Sequence, residues 1–332
     1  MWTRLTHSPT IFAALAIALY VVLAYIYALI KPMWCDEVWA IVPAYNLLHH
    51  GFLGMGDIKL PTVYPLVHGN ESQFIFWYPP LSYFSMTGWF ALFGHGLIAA
   101  RLHTIMWGVI LLCGIYRFAR SNYWVRAWVV LIIALDYNFL VVSDARPDIM
   151  CAALGIWAIV TGSAWFAVAA FLVHPFGIMY VIALACIKRR IEWLPYLAAI
   201  LILGIYASQN PALWLQQNLG VIYGHFRQTA INADIGFGVY LGFGTGWRLV
   251  LLATYVVCAS MIALRHRSIA LCLGLIAMPA WFLTNTTYYF PHAVPWLALC
   301  VALQMRRWPW LGLITIPQLV WAINSLPTYW NF

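Results

Sequence analysis

Charge is scarce in this chain, and negative charge is scarcest. Of 332 residues only 8% are Asp, Glu, Lys or Arg, and just nine are acidic, while 64% are hydrophobic. A soluble domain carries about 25% charged and about 45–50% apolar residues. So few charges exclude the ordinary soluble classes and leave an all-α polytopic membrane protein. Long basic runs are also missing. A net charge of +8 would otherwise invite a nucleic-acid partner, but the positive residues fall in small clusters between apolar runs, as topology signals do. Paired cysteine motifs are absent. Cys113, Cys151, Cys186, Cys258, Cys272 and Cys300 lie within apolar runs, where a thiol behaves as a small hydrophobe. That excludes a disulfide framework, and His49-His50 lacks a third ligand at a sensible zinc spacing. No small-residue cleavage site follows the first apolar run, about residues 10–30. It is long enough to span, so it is expected to be the first membrane helix rather than a signal peptide.

What the chain does have is apolar runs separated by charged breaks. A crossing needs about 20 apolar residues. The runs predict about eleven crossings: 10–30, 97–118, 124–142, 148–162, two short helices on either side of His174-Pro175, then 192–207, 246–264, 268–284, 293–305 and 308–324. The segment from Pro79 to Phe93, ended by Gly94-His95-Gly96, is read as an interfacial helix. A crossing there would place Arg117, Arg120 and Arg126 outside. His174-Pro175 is read as a turn because proline removes a donor and clashes with the preceding turn. A single crossing there would put Lys188-Arg189-Arg190 outside. The result is one domain over 1–332, with outer segments at about 31–96 and 208–243, the C-terminus outside, and no separate soluble domain. In this arrangement 11 of 17 basic residues lie inside and seven of nine acids outside. The basic bias satisfies the positive-inside rule. Arg4 places the N-terminus in the cytoplasm, and the acids place the polar chemistry on the exterior face.

That chemistry begins at Asp36-Glu37, directly after the first apolar run. A charged side chain costs about 2.5–3.5 kcal/mol at the centre of a spanning helix, so acids at a membrane mouth point to chemistry or to partner pairing. Three further outer segments share their character: Arg101, Asp144-Ala145-Arg146-Pro147-Asp148, and Thr287-Tyr288-Tyr289-Phe290-Pro291-His292. Arginine offers a planar fork of donors to a phosphate, and a carboxylate can take a proton from a hydroxyl. A lipid-linked phosphate as substrate would need both.

The order Asp36-Glu37, Tyr78-Pro79-Pro80-Leu81, Gly94, Ala99-Ala100-Arg101-Leu102 and Ala145-Arg146-Pro147-Asp148 resembles the GT-C membrane glycosyltransferases. Among them it is similar to the protein O-mannosyltransferases, the aminoarabinose transferases and the dolichyl-phosphate-mannose mannosyltransferase-like group. The late Tyr288-Tyr289-Phe290-Pro291 with Pro295 resembles another of their segments. His174-Pro175 sits where the family often has a polar break. The resemblance implies a GT-C bundle in a bacterial inner membrane that moves a sugar, with inversion, from a polyprenyl-phosphate donor to an acceptor hydroxyl on a lipid, glycan or protein of the cell envelope. It implies Asp36 as general base and Glu37 as its orienting or acceptor-binding neighbour. Arg101 and Arg146 would hold the phosphate, and Asp148 would order Arg146 or contact the sugar. The chain departs from the family in having Trp77-Tyr78 before Pro79-Pro80-Leu81, and Thr287 where an arginine is usual. Lys59, Arg227, Arg248 or His292 could replace the missing phosphate contacts, and His174 could border the phosphate site. Asp57, Tyr78 and Tyr288 are candidates for sugar or acceptor. The nearer relatives use no divalent cation, so no metal and no other cofactor is expected.

Each residue also has a plainer reading. Arg101 would only anchor its helix at the interface. Asp144, Arg146 and Asp148 would form a self-satisfied loop cluster, and His174 a hydrogen-bonded turn residue. Asp136 is expected to be paired inside the bundle. Two rival functions stand beside the transferase: a flippase or transporter of lipid-linked sugar, and a non-catalytic member of the same fold that binds polyprenyl phosphate.

Overall fold

The computed structural model describes residues 8–33, 35–56, 74–119, 123–136, 139–140, 143–219, 246–282, 289–318 and 320. Every regular element among them is helical. In chain order these are α1 (Ser8–Ile30), α2 (Cys35–His50), α3 (Pro80–Phe93), α4 (Leu97–Phe118), α5 (Tyr123–Ala134), α6 (Asp148–Thr161), α7 (Ala164–Val173), α8 (Ile178–Lys188), α9 (Trp193–Ser208), α10 (Pro211–Leu219), α11 (Gly246–Ala263), α12 (Arg267–Cys272), α13 (Met278–Phe282) and α14 (Phe290–Gln304). A π-helical stretch, Leu273–Ala277, joins α12 to α13, and a 3₁₀ stretch covers Pro309–Ile314.

Among the described residues, two helices are individually long and apolar enough to span a membrane, one within α1 and one equal to α4. Both coincide with predicted crossings. α9 and α10 pass the same test only as a pair bent by 106°. The other apolar helices have 10–17 residues, or about 15–26 Å at 1.5 Å per residue. That is less than a hydrocarbon core of about 30 Å.

Several boundaries have local causes. α3 has 14 residues, about 21 Å, too short to cross. It stops at Gly94, whose φ is +83°, and α4 begins after Gly96, at +127°. Both values are ones that side chains avoid. α3 buries Tyr83, Met86 and Phe90, one stripe at helical spacing, and leaves Phe84, Leu92 and Phe93 exposed. His174 does break the chain. α7 ends there, Pro175–Gly177 forms a 3₁₀ turn, and α8 runs back. Lys188 Nζ donates to Gly162 O at 2.8 Å, so the end of α8 meets the start of α7 and the two form a hairpin.

Other expectations are corrected. The predicted crossing at 124–142 ends as a helix at Ala134. Asp136 closes it: its N–H turns back to Ile133 O, and its carboxylate accepts the Phe139 N–H at 3.2 Å. The outer segment beginning at residue 31 is not all loop, because α2 fills Cys35–His50. The 208–243 segment opens with α10. α14 begins at Phe290, so His292 lies in its first turn rather than in an outer loop.

The bundle has two chemically distinct ends. At one, Thr10 Oγ1 lies 3.3 Å from Tyr116 Oη, Phe12 packs on Trp124 and Trp128, Arg126 covers Tyr116, and Lys188 reaches Gly162. At the other gather the end of α1, the starts of α2, α4 and α6, the His174 turn and the start of α14. Between them lies the apolar core, which contains Tyr20, Tyr27, Phe139, Tyr180 and Trp296.

The His174 turn packs too closely for any side chain at Gly177, where a Cβ would overlap the backbone of Ala170 and Phe171. Gly177→Ala is expected to destabilise the protein by about 1–3 kcal/mol, the usual cost of overpacking. Gly204, whose added Cβ meets nothing within 4 Å, should accept alanine without loss. Thermal unfolding of both variants in the same detergent checks the contrast.

Candidate active site

The site is framed by a buried arginine. Arg101, in the first turns of α4, is fully buried and uses all five of its N–H donors. Nε and Nη2 hold Glu37 Oε1 and Oε2 at 2.8 and 2.7 Å. Nη1 reaches the carbonyls of Ala28 and Lys31 at 2.6 and 2.7 Å, and Nη2 also reaches that of Pro32 at 3.0 Å. The Ala28 carbonyl is one of the last four of α1, which lack partners within the helix, and Lys31 and Pro32 follow directly after it. Arg101 was expected as a phosphate ligand; here its five donors already meet five acceptors. Glu37 was expected to orient Asp36 or bind the acceptor; here both its oxygens meet Arg101. It is fully buried, and beyond Arg101 it accepts the Ala145 N–H at 3.0 Å.

The neighbours of these two anchors form the accessible chemistry. Asp36 precedes Glu37, and Arg146 follows Ala145. Arg146 Nη1 pairs with Asp36 Oδ2, and Arg146 Nε with Asp148 Oδ2 at 2.9 Å. Asp36 keeps 20% of its side chain exposed, against 7% for Arg146 and none for Asp148. Asp36 is thus the carboxylate that an incoming group can touch. Burial works against the Arg146 cation, but Tyr78, Asp148 and Asp36 around it hold its pKa well above the usual arginine value. The Tyr78 phenol lies within electrostatic reach of Arg146, Asp36 and Asp148, and burial raises its pKa well above normal, which keeps it a neutral donor.

One wall of the site is built from rings. His174 packs near Tyr78 and Tyr289, with centroids 5.8 and 5.7 Å apart, and His292 stacks on Phe176 at 4.4 Å. His174 Nε2 stands 3.8 Å from Asp148 Oδ1. His292 is wholly buried and its Nδ1 lies 3.1 Å from Tyr180 Oη. It is part of the ring wall. Behind the site, Gln217 ties α10 to the segment ahead of Tyr78. It accepts the Phe76 N–H at 2.6 Å and donates to Phe74 O at 3.3 Å.

The structure brings Asp36, Glu37, Tyr78, Arg101, Arg146, Asp148, His174 and His292 to one end of the bundle. Asp57, Lys59 and Tyr288 lie outside the described residues. Lys31 was missed by the sequence reading. It pairs with Asp144 at 2.7 Å, and its place at the end of the first apolar run was the available signal. Burial raises the Asp144 pKa, Lys31 lowers it and Glu37 adds to the rise. Asp136 is paired inside the bundle as expected. Gln318 Nε2 donates to it at 3.0 Å, and Tyr255 Oη lies 3.4 Å away. Among the described residues no group of three His, Cys, Asp or Glu side chains could hold a metal ion. A cavity of about 490 Å³ opens at the far end of α2, beside Tyr45, Asn46, His50 and His95. None of the charged residues above lines it, so geometry rather than cavity size marks the site.

Removing one partner of a fully buried ion pair typically costs about 3–5 kcal/mol, whereas the half-exposed Lys188–Glu192 pair is screened by solvent and counts for far less. Arg101→Ala should therefore lower thermal stability severely, and Lys188→Ala hardly at all. A melting series in detergent, with Glu37→Gln as the matching partner, checks this.

No family model matches the sequence, and no curated protein matches it significantly. Solved structures do share its fold. ArnT from Cupriavidus metallidurans, bound to undecaprenyl phosphate, superposes with a TM-score of 0.59 at 16% identity, over 91% of this chain and 60% of that one. Its apo form gives 0.57 at 13% identity, over 93% and 62%. The oligosaccharyltransferase AglB from Archaeoglobus fulgidus, in complex with an inhibitory peptide and a dolichol-phosphate, gives 0.53 at 12% identity, over 94% and 56%. The chain spans between about half and three-fifths of the length of these relatives. ArnT and AglB are both GT-C glycosyltransferases, and the fold of this integral membrane protein is the GT-C fold.

Proposed function

We propose that the protein is an inverting glycosyltransferase that takes its sugar from a polyprenyl-phosphate donor, with Asp36 as general base and Arg146 as phosphate ligand. The observation that carries this is the Asp36–Arg146 pair at the open edge of the site, in a fold of which two solved examples hold undecaprenyl phosphate or a dolichol-phosphate. The reading places the site on the exterior face of a bacterial inner membrane, the N-terminus inside, and a lipid, glycan or protein hydroxyl as acceptor.

The chemistry follows from the groups present. Asp36 takes the proton of the acceptor hydroxyl as the oxygen attacks the anomeric carbon. The bond from that carbon to the phosphate oxygen breaks on the opposite face, which inverts the centre. The leaving polyprenyl phosphate keeps the bonding electrons and gains negative charge, which Arg146 neutralises in a site shielded from water. Arg146 meets this need without leaving its anchor. Its Nε stays on Asp148 while its outer nitrogens turn from Asp36 to the phosphate. That turn also uncovers Asp36 when the donor is in place. Tyr78, a buried phenol beside the guanidinium, supplies a neutral hydrogen bond to the sugar or phosphate. Arg101 and Glu37 take no part in proton or phosphate transfer; they fix the backbone on which Asp36 and Arg146 stand.

Loss of a positioned general base costs about 10²–10⁴-fold in rate. Asp36→Asn should therefore abolish measurable transfer while retaining lipid-phosphate binding, and Arg146→Gln should weaken both. The experiment is turnover of radiolabelled polyprenyl-phosphate sugars by purified protein, with a membrane extract as acceptor source. Transfer or slow donor hydrolysis that disappears in Asp36→Asn supports the reading. Movement of lipid-linked sugar across proteoliposomes without turnover would replace it with a flippase.

A further inference from the structure

Asp148 uses its two carboxylate oxygens unequally. Oδ2 accepts from Arg146 Nε at 2.9 Å, whereas Oδ1 is buried and accepts no hydrogen bond among the described residues. A buried carboxylate oxygen without a donor is costly. His174 Nε2 faces that oxygen at 3.8 Å, a gap that a small approach or one bridging water closes.

The tautomer of His174 follows from its other nitrogen. Nδ1 accepts the Phe176 N–H at 3.1 Å, so it carries no proton. The neutral ring then holds its proton on Nε2, the atom turned toward Asp148. Protonating both nitrogens would set one N–H against another at Phe176. His174 is therefore a neutral donor aimed at a carboxylate oxygen that lacks one. Its choice at this turn is informative. A cap before Pro175 needs only an acceptor for the Phe176 N–H, and Ser, Thr, Asn or Asp supply that best. Histidine adds a second nitrogen pointing the other way, and Tyr78 and Tyr289 pack near its ring.

We infer that His174 is a positioning residue for the transfer: its Nε2–H fixes the carboxylate plane of Asp148, and Asp148 thereby aims Arg146 at Asp36 and at the donor phosphate. The inference rests on the transferase reading for its consequence, though not for the contact itself. A carboxylate held at one oxygen still swings about its Cβ–Cγ bond. Held at both, it presents Oδ2 in one direction, and the guanidinium pivots about a fixed Nε.

Two amide substitutions separate the two nitrogens. His174→Asn places a carbonyl near Nδ1, which keeps the turn cap and removes the donor to Asp148. His174→Gln places its amide N–H near Nε2, which keeps the donor and gives up the cap. If His174 positions Asp148, kcat at saturating donor falls by about 10²-fold in the Asn variant, the order expected for a misplaced catalytic group. The Gln variant then recovers most of the wild-type rate. The reverse ranking would show a turn cap only and would overturn the inference. A reading free of substrate comes from infrared spectra. The Asp148 carboxylate bands, isolated by subtracting the Asp148→Asn protein in each His174 background, should shift in His174→Asn and hold their wild-type position in His174→Gln. If His174→Gln does not fold, the comparison of His174→Asn with wild type decides alone, and unmoved bands overturn the inference. If the wild type turns over no donor, the transferase reading falls while the infrared bands still decide the His174–Asp148 contact.

Discussion

Everything at the polar end of this protein depends on where Arg101 spends its five N–H groups. They join one carbonyl of the last turn of α1 and two in the segment after it to the Glu37 carboxylate at the start of α2, from a position in α4. Glu37 extends the join to the Ala145 N–H. As a source of net stability such a buried pair is weak, since apolar replacements often do as well. Its consequence here is geometric. Glu37 lies beside Asp36 in sequence, and Ala145 lies beside Arg146. Adjacent residues at a helix start point in different directions, so fixing Glu37 inward turns Asp36 toward the open edge. Fixing the Ala145 backbone brings Arg146 to meet it. The buried Arg101–Glu37 pair thus places the Asp36–Arg146 pair.

The sequence made part of this legible. The spanning length of α1 and α4, the stop at Gly94 and the hairpin at His174-Pro175 all rest on local signals, whereas the meeting of Asp36 with Arg146, 110 residues away, does not. Apolar run length, a positive-φ glycine and a proline each act within a few residues. What stayed hidden depends on contacts distant in sequence. Arg101 looks like an interfacial anchor or a phosphate ligand until the carbonyls of Ala28, Lys31 and Pro32 are seen to surround it. α2 carries polar residues at both ends and Pro43 within, so neither hydropathy nor propensity marks it. The early end of α5 is set by a buried aspartate, whose neighbours Tyr255 and Gln318 lie 119 and 182 residues away. Lys31 shows as a positive charge after an apolar run, and only packing reveals that it belongs to Asp144.

Helix length explains why the polar residues sit where they do. A full-length crossing satisfies its own backbone through the apolar layer, and its unpaired ends emerge into water or headgroups. A helix of 10–14 residues cannot. Its termini fall within the protein, and side chains must meet the groups left over. At this end of the bundle the starts of α6, the Pro175–Gly177 turn and the 15-residue α14 lie side by side, and each brings polar atoms with it. Asp148 occupies the first turn of α6, where a carboxylate is favoured by the helix dipole. His174 Nδ1 receives the first N–H of the turn. His292 stands in the first turn of α14 against the same ring wall. The short helices that seem poor spans are therefore what brings a polar cluster into an otherwise apolar bundle. The groups that close their ends are the carboxylate and imidazoles gathered around Arg146.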